Sequence, residues 1–194
     1  MPSFMKFNVV LDVRAARASM KGLEKEVNKA AGRALNRVAT TVRKEADQEI
    51  RTRLSLKSAT VKAALSVDRP FGQDRLIRDV VATGKPIPLR DYSARRVSKG
   101  VTYKIGKGKP RKVYIRNQRK GFINPKFGGG NVFVATGPNP SGPKNAPIKK
   151  VYGPSITQGF QAARTQLRMR KTAIARWPIE FEREMAYRRT KAGL

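Results

Sequence analysis

An α+β fold is predicted for this chain: a long N-terminal helix and a short second helix, a central antiparallel β-sheet or meander, and C-terminal helices packing on the sheet. Three observations predict it. Apolar residues recur at three- and four-residue steps through a Pro-free stretch from about Ala15 to Arg53, short alternating runs broken by Gly and Pro fill the middle of the chain, and helical spacing returns after Ser155. With 194 residues and 39% hydrophobic content, the chain suits one domain, since disordered basic tails lack such periodic Val, Ile, Leu and aromatics. Its expected parts are an N-terminal strand and helices over 1–67, a basic antiparallel β region over 68–154, and C-terminal helices over 155–194.

At the N-terminus Met5, Phe7, Val9 and Leu11 alternate with Phe4, Lys6, Asn8 and Val10, the pattern of a half-buried strand. In the long helix that follows, Leu23, Val27, Ala30, Ala34, Val38 and Val42 form an Ala-rich stripe that a partner element can approach closely. Lys21, Lys25, Lys29, Arg33 and Arg37 stand four apart on the same helix and form a basic ridge. Like charges at that spacing each cost roughly 0.2–0.5 kcal/mol. The ridge is either a solvated face moderated by Glu24 and Glu26 or a subunit-interface candidate facing an acidic neighbour or nucleic acid.

Ser55 or Ser58 is placed to cap the second helix, which carries Val61, Ala64 and Leu65. Leu76–Ala82 reads as a strand and Gly84–Pro88 as a Pro-stiffened turn; Val101, Tyr103 and Ile105 then alternate with Thr102 and Lys104. Gly106–Pro110 turns the chain into a strand with Val113 and Ile115, and Phe122, Ile123 and Val132–Ala135 continue across the Gly128–Gly130 turn. Thr136–Pro147 contains four Pro and two Gly, which suits a mobile loop or an arm ordered by a neighbour, and Ile148–Val151 reads as the last strand. Ser155 with Gln158 matches a capping box, with Ile156, Phe160, Ala163 and Leu167 following at helical spacing. That helix is expected to stop or kink before Pro178, which suits the first turn of another helix through Arg189.

Charge says most about function. Between Asp91 and Glu180 there is no carboxylate, while the 88 intervening positions hold 20 Lys or Arg, and the whole chain has a formal net charge of +30. A positive field of that extent repels itself and points to a polyanionic partner. The same composition removes most catalytic chemistry. His and Cys are absent, which excludes Ser–His–Asp and Cys–His catalysis, thiolate metal sites and disulfides. Gly108–Lys109 is followed by Pro110, so no Walker phosphate loop is formed, and Glu24, Glu26, Glu45, Asp47 and Glu49 read as helix-surface charges rather than a nuclease metal cluster. A lysine base stays open in principle, but nothing singles one out. No cofactor and no enzymatic activity are expected. Met1–Val13 does not read as a signal peptide and no run reaches the ~18 apolar residues of a membrane span, so a soluble protein of the cytoplasm, or of a particle assembled there, is expected.

The candidate phosphate contacts are Lys104, Lys107, Lys109, Arg111, Lys112, Arg116, Arg119 and Lys120, in the basic stretch from Lys99 to Lys126. Tyr103 is in phase with Val101 and Ile105 and is expected in the core, whereas Tyr114, out of phase with Val113 and Ile115, is expected outside. No RNP motif, zinc-finger spacing or helix-turn-helix accompanies them, so the expected contact is with phosphates and reads no bases.

Several segments together resemble the minor tail protein Z family, the tail-completion proteins of long-tailed bacteriophages. Ala34–Leu35–Asn36–Arg37–Val38–Ala39 is similar to the family's A-[IL]-N-R-x-A, and Leu56–Lys57 with Val61–Lys62 to the start of its second helix. Pro86–Ile87–Pro88–Leu89–Arg90, Gly121–Phe122–Ile123, Val132–Phe133 and Pro147–Ile148 leading to Gly153–Pro154–Ser155–Ile156 follow in the family's order. The resemblance spans about residues 20–165; it departs at Gly121, where the pattern has Ala, and at Val134–Ala135, where an Arg often stands. It implies a structural virion protein at the head-proximal end of the tail, assembled in the host cytoplasm, which finishes the tail so that it joins a filled head. The implied partners are further copies of itself in a ring, a hexamer by analogy with six-fold assemblies at this level, together with tail-tube or terminator proteins, neck connector proteins and the end of the packaged double-stranded DNA. The basic β region would then line or rim the DNA channel while the helices make subunit contacts. Two rivals stay open: a tail terminator ring that stops tube growth and, from a different class, a ribosomal-type RNA-binding protein.

Overall fold

The computed structural model describes residues 4–10, 24–68, 76–116, 118–124, 129–137 and 146–192. Four helices lie among these residues: α1 (Glu24–Arg53), α2 (Ser58–Ala64), α3 (Thr157–Gln161) and α4 (Ala163–Ala192). The two long ones, each 30 residues and so about 45 Å, pack along one another. Their direction is antiparallel, because Glu26 near the start of α1 meets Arg188 near the end of α4, while Glu49 near the end of α1 meets Arg164 at the start of α4. The predicted stripe is what α1 buries: Val27, Ala30, Ala34, Val38 and Val42 are fully buried, joined by Ala31, Leu35, Ala39, Ala46 and Ile50. Small Ala side chains let a sheet approach α1 on one side and α4 on another. Thr40 and Thr41 turn their hydroxyls back onto the carbonyls of Asn36 and Arg37, which settles two polar groups within the helix. The expected start near Ala15, with Leu23, lies outside the described residues.

The sheet against α1 is antiparallel with order β1 (Phe4–Val10), β3 (Ile77–Thr83), β2 (Leu65–Asp68). Val9, Leu65, Val80 and Ala82 enter the core, and Met5 and Phe7 pack against it as the alternation predicts. Helix α2 passes straight into β2, so Leu65 is a strand residue rather than a helical one. Neither predicted cap forms. The cap position of α2 is Lys57, while Ser58 Oγ lies 3.5 Å from Asp47 Oδ2 and Ser55 Oγ 3.5 Å from Ser93 Oγ.

The remaining β structure is antiparallel throughout but divided into small sheets. Strands β5 (Arg95–Val97), β6 (Gly100–Tyr103) and β7 (Lys112–Val113) form one; β10 (Phe122–Ile123), β11 (Val132–Ala135) and β12 (Ile148–Lys150) form another. Short pairs join β8 (Ile115–Arg116) to β9 (Arg119–Lys120), and β4 (Ile87–Pro88) to β13 (Tyr152–Gly153). Tyr92, just after a 3-10 turn at Leu89–Asp91, is fully buried, and its hydroxyl donates to the carbonyl of Pro154 at 2.6 Å. A Cβ on Gly153 would stand 2.5 Å from the Tyr92 ring, so only glycine lets the C-terminal segment close over it. Thr136 N–H donates to the Pro147 carbonyl and closes the base of the Pro-rich loop, whose residues 138–145 lie outside the described residues.

Two sequence expectations on side-chain phase are corrected. Tyr114 N–H donates to Val101, whose side chain is in the core, so Tyr114 shares that face and packs inward at 6.3 Å from the Tyr103 ring, while Val113 and Ile115 face out. Gly121 makes room for it, since a Cβ there would lie 3.0 Å from the Tyr114 ring; the departure from the family's Ala is thereby explained. At the C-terminus no capping box forms at Ser155, whose hydroxyl instead faces Thr157 Oγ1 at 2.6 Å. Extended backbone at Ala162 (ψ 130°) then interrupts the helix and restarts its phase. Thr165 and Met169 are therefore buried in place of Ala163 and Leu167, which are exposed. Helix α4 runs through Pro178 without stopping. The ring removes one helical donor, but Ile174, Ala175, Arg176, Pro178 and Ile179 are exposed, so water reaches the freed carbonyl.

Candidate nucleic-acid interface

Where the carboxylates go decides where the positive charge is felt. Glu49, 2% exposed, lies between Arg164 Nε at 3.0 Å, Arg168 Nε at 3.4 Å and Arg53 Nε at 3.8 Å. Arg164 stands close without hydrogen-bond alignment, so its contact with Glu49 Oε1 is electrostatic. Arg168 also reaches Glu45 at 3.0 Å. Arg37 Nη2 lies 2.8 Å from Glu184, which is 4% exposed, and Arg37 Nη1 lies 3.5 Å from Glu180. At the far end Glu26 accepts from Lys29 at 2.7 Å and from Arg188 at 2.8 Å; the Lys29 bond above all, with Arg188 adding, holds its carboxyl below the usual range against the opposing effect of burial. Asp47 takes both its oxygens to Arg51 at 3.1 Å. Glu26, Glu45, Asp47 and Glu49 are thus ties within the fold. Asp47 and Glu49 are buried rather than surface charges, because α4 brings arginines from more than a hundred residues away and α1 supplies the rest.

The basic ridge of α1 is divided by the same pairing. Lys25 and Arg33 are exposed, whereas Lys29 and Arg37 are held by Glu26 and by Glu180 with Glu184. Lys21 lies outside the described residues.

C-terminal to Asp91, which lies 3.9 Å from Arg90, the β region has no carboxylate for its cations to meet. Of the eight candidates, Lys107, Lys109, Lys112, Arg116 and Lys120 are exposed, and none of these is in an ion pair among the described residues. Lys104 is half-buried. Arg111 lies against the sheet instead, donating to the Ser93 carbonyl and to Thr102, and Arg119 donates to the Gly137 carbonyl at the base of the Pro-rich loop. Two of the eight are therefore braces for the backbone. The structure adds three exposed cations outside the eight candidates, Arg95, Arg96 and Lys99, on β5 and the turn after it. Their signal was the Arg–Arg pair itself, but residues 92–98 show too little apolar alternation to be recognised as a strand. Val113 and Ile115, 40% and 59% exposed, lie among these cations, so the surface is basic with aliphatic spots. No helix among the described residues is long and apolar enough to cross a membrane.

The sequence matches the family described as prophage minor tail protein Z (GPZ) over residues 13–189, which takes in α1, every strand from β2 on and all but the last three residues of α4. No curated protein and no solved structure matches the chain. A match over nearly the full length shows that this protein belongs to the prophage minor tail protein Z family and is a structural tail protein of the phage virion.

Proposed function

We propose that the protein completes the head-proximal end of the tail for head–tail joining, and that its basic β surface lies against the end of the packaged DNA. The observation that carries the DNA contact is the separation of charge: Glu26, Glu45, Asp47 and Glu49 of α1 are tied to arginines, while Lys107, Lys109, Lys112, Arg116 and Lys120 stand exposed in a stretch without a carboxylate. Phosphates supply the missing counter-charge, and flexible lysines meet them without reading bases. A ring of copies, hexameric by the family resemblance, would place these surfaces around the channel, with tail-tube and neck proteins above and below.

The test is duplex-DNA binding across a salt series. Each neutralised phosphate contributes about −0.9 to the log–log slope, so five contacts give a slope of roughly −4 to −5, the same for unrelated sequences. Replacing Lys109, Lys112 and Lys120 by Glu removes three of the five contacts, which weakens binding and brings the slope to about −2 or shallower. A slope near zero, or an unchanged one in that variant, contradicts the DNA contact. The exposed aliphatics Val113 and Ile115 favour a second reading, in which the same face docks an acidic tail or connector protein. Substituting them with Ser would then leave DNA binding intact and weaken assembly.

A further inference from the structure

A small cleft lies where the end of α1 meets the turn between β6 and β7. It encloses about 180 Å3 and is lined by Arg51, Ser55, Lys57, Ser93 and Lys107, with Leu54 and Leu56 behind them. We infer that this cleft is a seat for a single phosphate-type oxyanion. Its volume corresponds to about six water molecules and falls short of the ~300–1,000 Å3 that enclose organic ligands, which suits one tetrahedral anion.

The chemistry of the walls is one-sided. Asp47, the acid beside the cleft, already gives both oxygens to Arg51 Nε and Nη2 at 3.1 Å. That bidentate grip fixes the guanidinium plane and leaves Nη1 without a partner among the described residues. The ammonium groups of Lys57 and Lys107 are exposed and form no ion pair among the described residues. Ser55 and Ser93 bring their hydroxyls to 3.5 Å of each other, close enough for one oxyanion to accept from both.

The walls are also set by the backbone. Ser55 N–H donates to Ile105 at 2.8 Å, Lys107 N–H donates to Arg53 at 2.8 Å, and Leu54 forms a bridge with Gly106. Ser93 is held in the left-handed region (φ 55°), uncommon for a residue with a side chain, and Arg111 grips its carbonyl. The C-terminal end of α1 carries partial negative charge that opposes an anion. Two of its last carbonyls are already occupied, Ile50 by Leu54 N–H and Arg53 by Lys107 N–H, and the two unpaired cations, Lys57 and Lys107, outweigh what remains.

The test is titration of the full chain with inorganic phosphate at constant ionic strength, followed by amide chemical shifts. Saturable one-to-one binding is expected, with shifts confined to Ser55, Lys57, Ser93, Lys107 and their neighbours. Lys57→Gln with Lys107→Gln weakens it at least tenfold, whereas Lys112→Gln with Lys120→Gln, which removes the same two charges on the β surface, changes it less than twofold. Ser93→Gly, which suits the left-handed backbone and removes the hydroxyl together with its Cβ, weakens it severalfold and serves if the double variant folds poorly. Non-saturating shifts spread over the whole basic surface, or equal effects of all three variants, overturn the assignment. A short DNA duplex then distinguishes the source: shifts of the same amides and competition with phosphate identify a backbone phosphate, and binding that leaves the phosphate in place identifies a free anion. The β-surface salt slope is measured separately, so either reading fails without the other.

Discussion

Replacing Glu49 with Gln tests whether the acids of α1 are ties between the long helices. The carboxylate is 2% exposed and faces Arg164, Arg168 and Arg53, which are 63%, 50% and 43% exposed. Breaking a fully buried pair costs about 3–5 kcal/mol, because a charge is stranded in the interior. Here the stranded groups are arginines that reach water, so that bound does not apply. Three partly screened contacts at about 0.2–1 kcal/mol each give roughly 1–3 kcal/mol. For a chain of this size that lowers Tm by roughly 2–12 °C, at about 2–4 °C per kcal/mol. Thermal unfolding by circular dichroism reads it, with Glu182→Gln, an exposed acid on α4, as the control expected to shift stability by less than about 0.5 kcal/mol. The gap between Glu49→Gln and the native chain should narrow at about 1 M salt, where screening acts within ~3 Å. Equal, negligible changes in both variants would refute the view that Glu49 ties α4 to α1.

Tyr92→Phe removes the hydroxyl that holds Pro154 and should cost about 1 kcal/mol in denaturant unfolding. Burial first, and then the Asp91 charge, raise the Tyr92 phenol above the usual tyrosine range, so its contribution is intact below about pH 10 and is lost as pH rises further. The alkaline limb of the native stability profile should therefore be steeper than that of Tyr92→Phe. Gly121→Ala sets a methyl 3.0 Å from the Tyr114 ring and should destabilise by about 1–3 kcal/mol. Adding Tyr114→Leu should recover part of that loss, a non-additivity that a double-mutant cycle reads directly.

Much of the fold was legible because it rests on local period. The α1 stripe from Val27 to Val42, the alternation of Met5, Phe7 and Val9, and the hairpin partners Phe122–Ile123 and Val132–Ala135 each follow from spacing and turn chemistry. What spacing does not carry is phase across a break or contact across the chain. Tyr114 turns inward because of its backbone bond to Val101 and the absence of a Cβ at Gly121. Leu167 turns outward because a single extended residue, Ala162, restarts the helix. The basic surface was legible as a composition gap, yet the sorting of its cations was not: Arg111 and Arg119 brace carbonyls that only tertiary structure brings near. Likewise, the pairing of Glu49 with Arg164 and Arg168 depends on an antiparallel helix pair that no local pattern encodes.

The most direct test of a role in completing the tail is electron microscopy of a lysate from phage carrying an early stop codon in this gene, with heads and tails counted joined and apart. Tails of normal length beside unattached, DNA-filled heads are expected. Overlong tubes would instead assign tube termination, and normal numbers of joined, infectious particles would contradict the completion role.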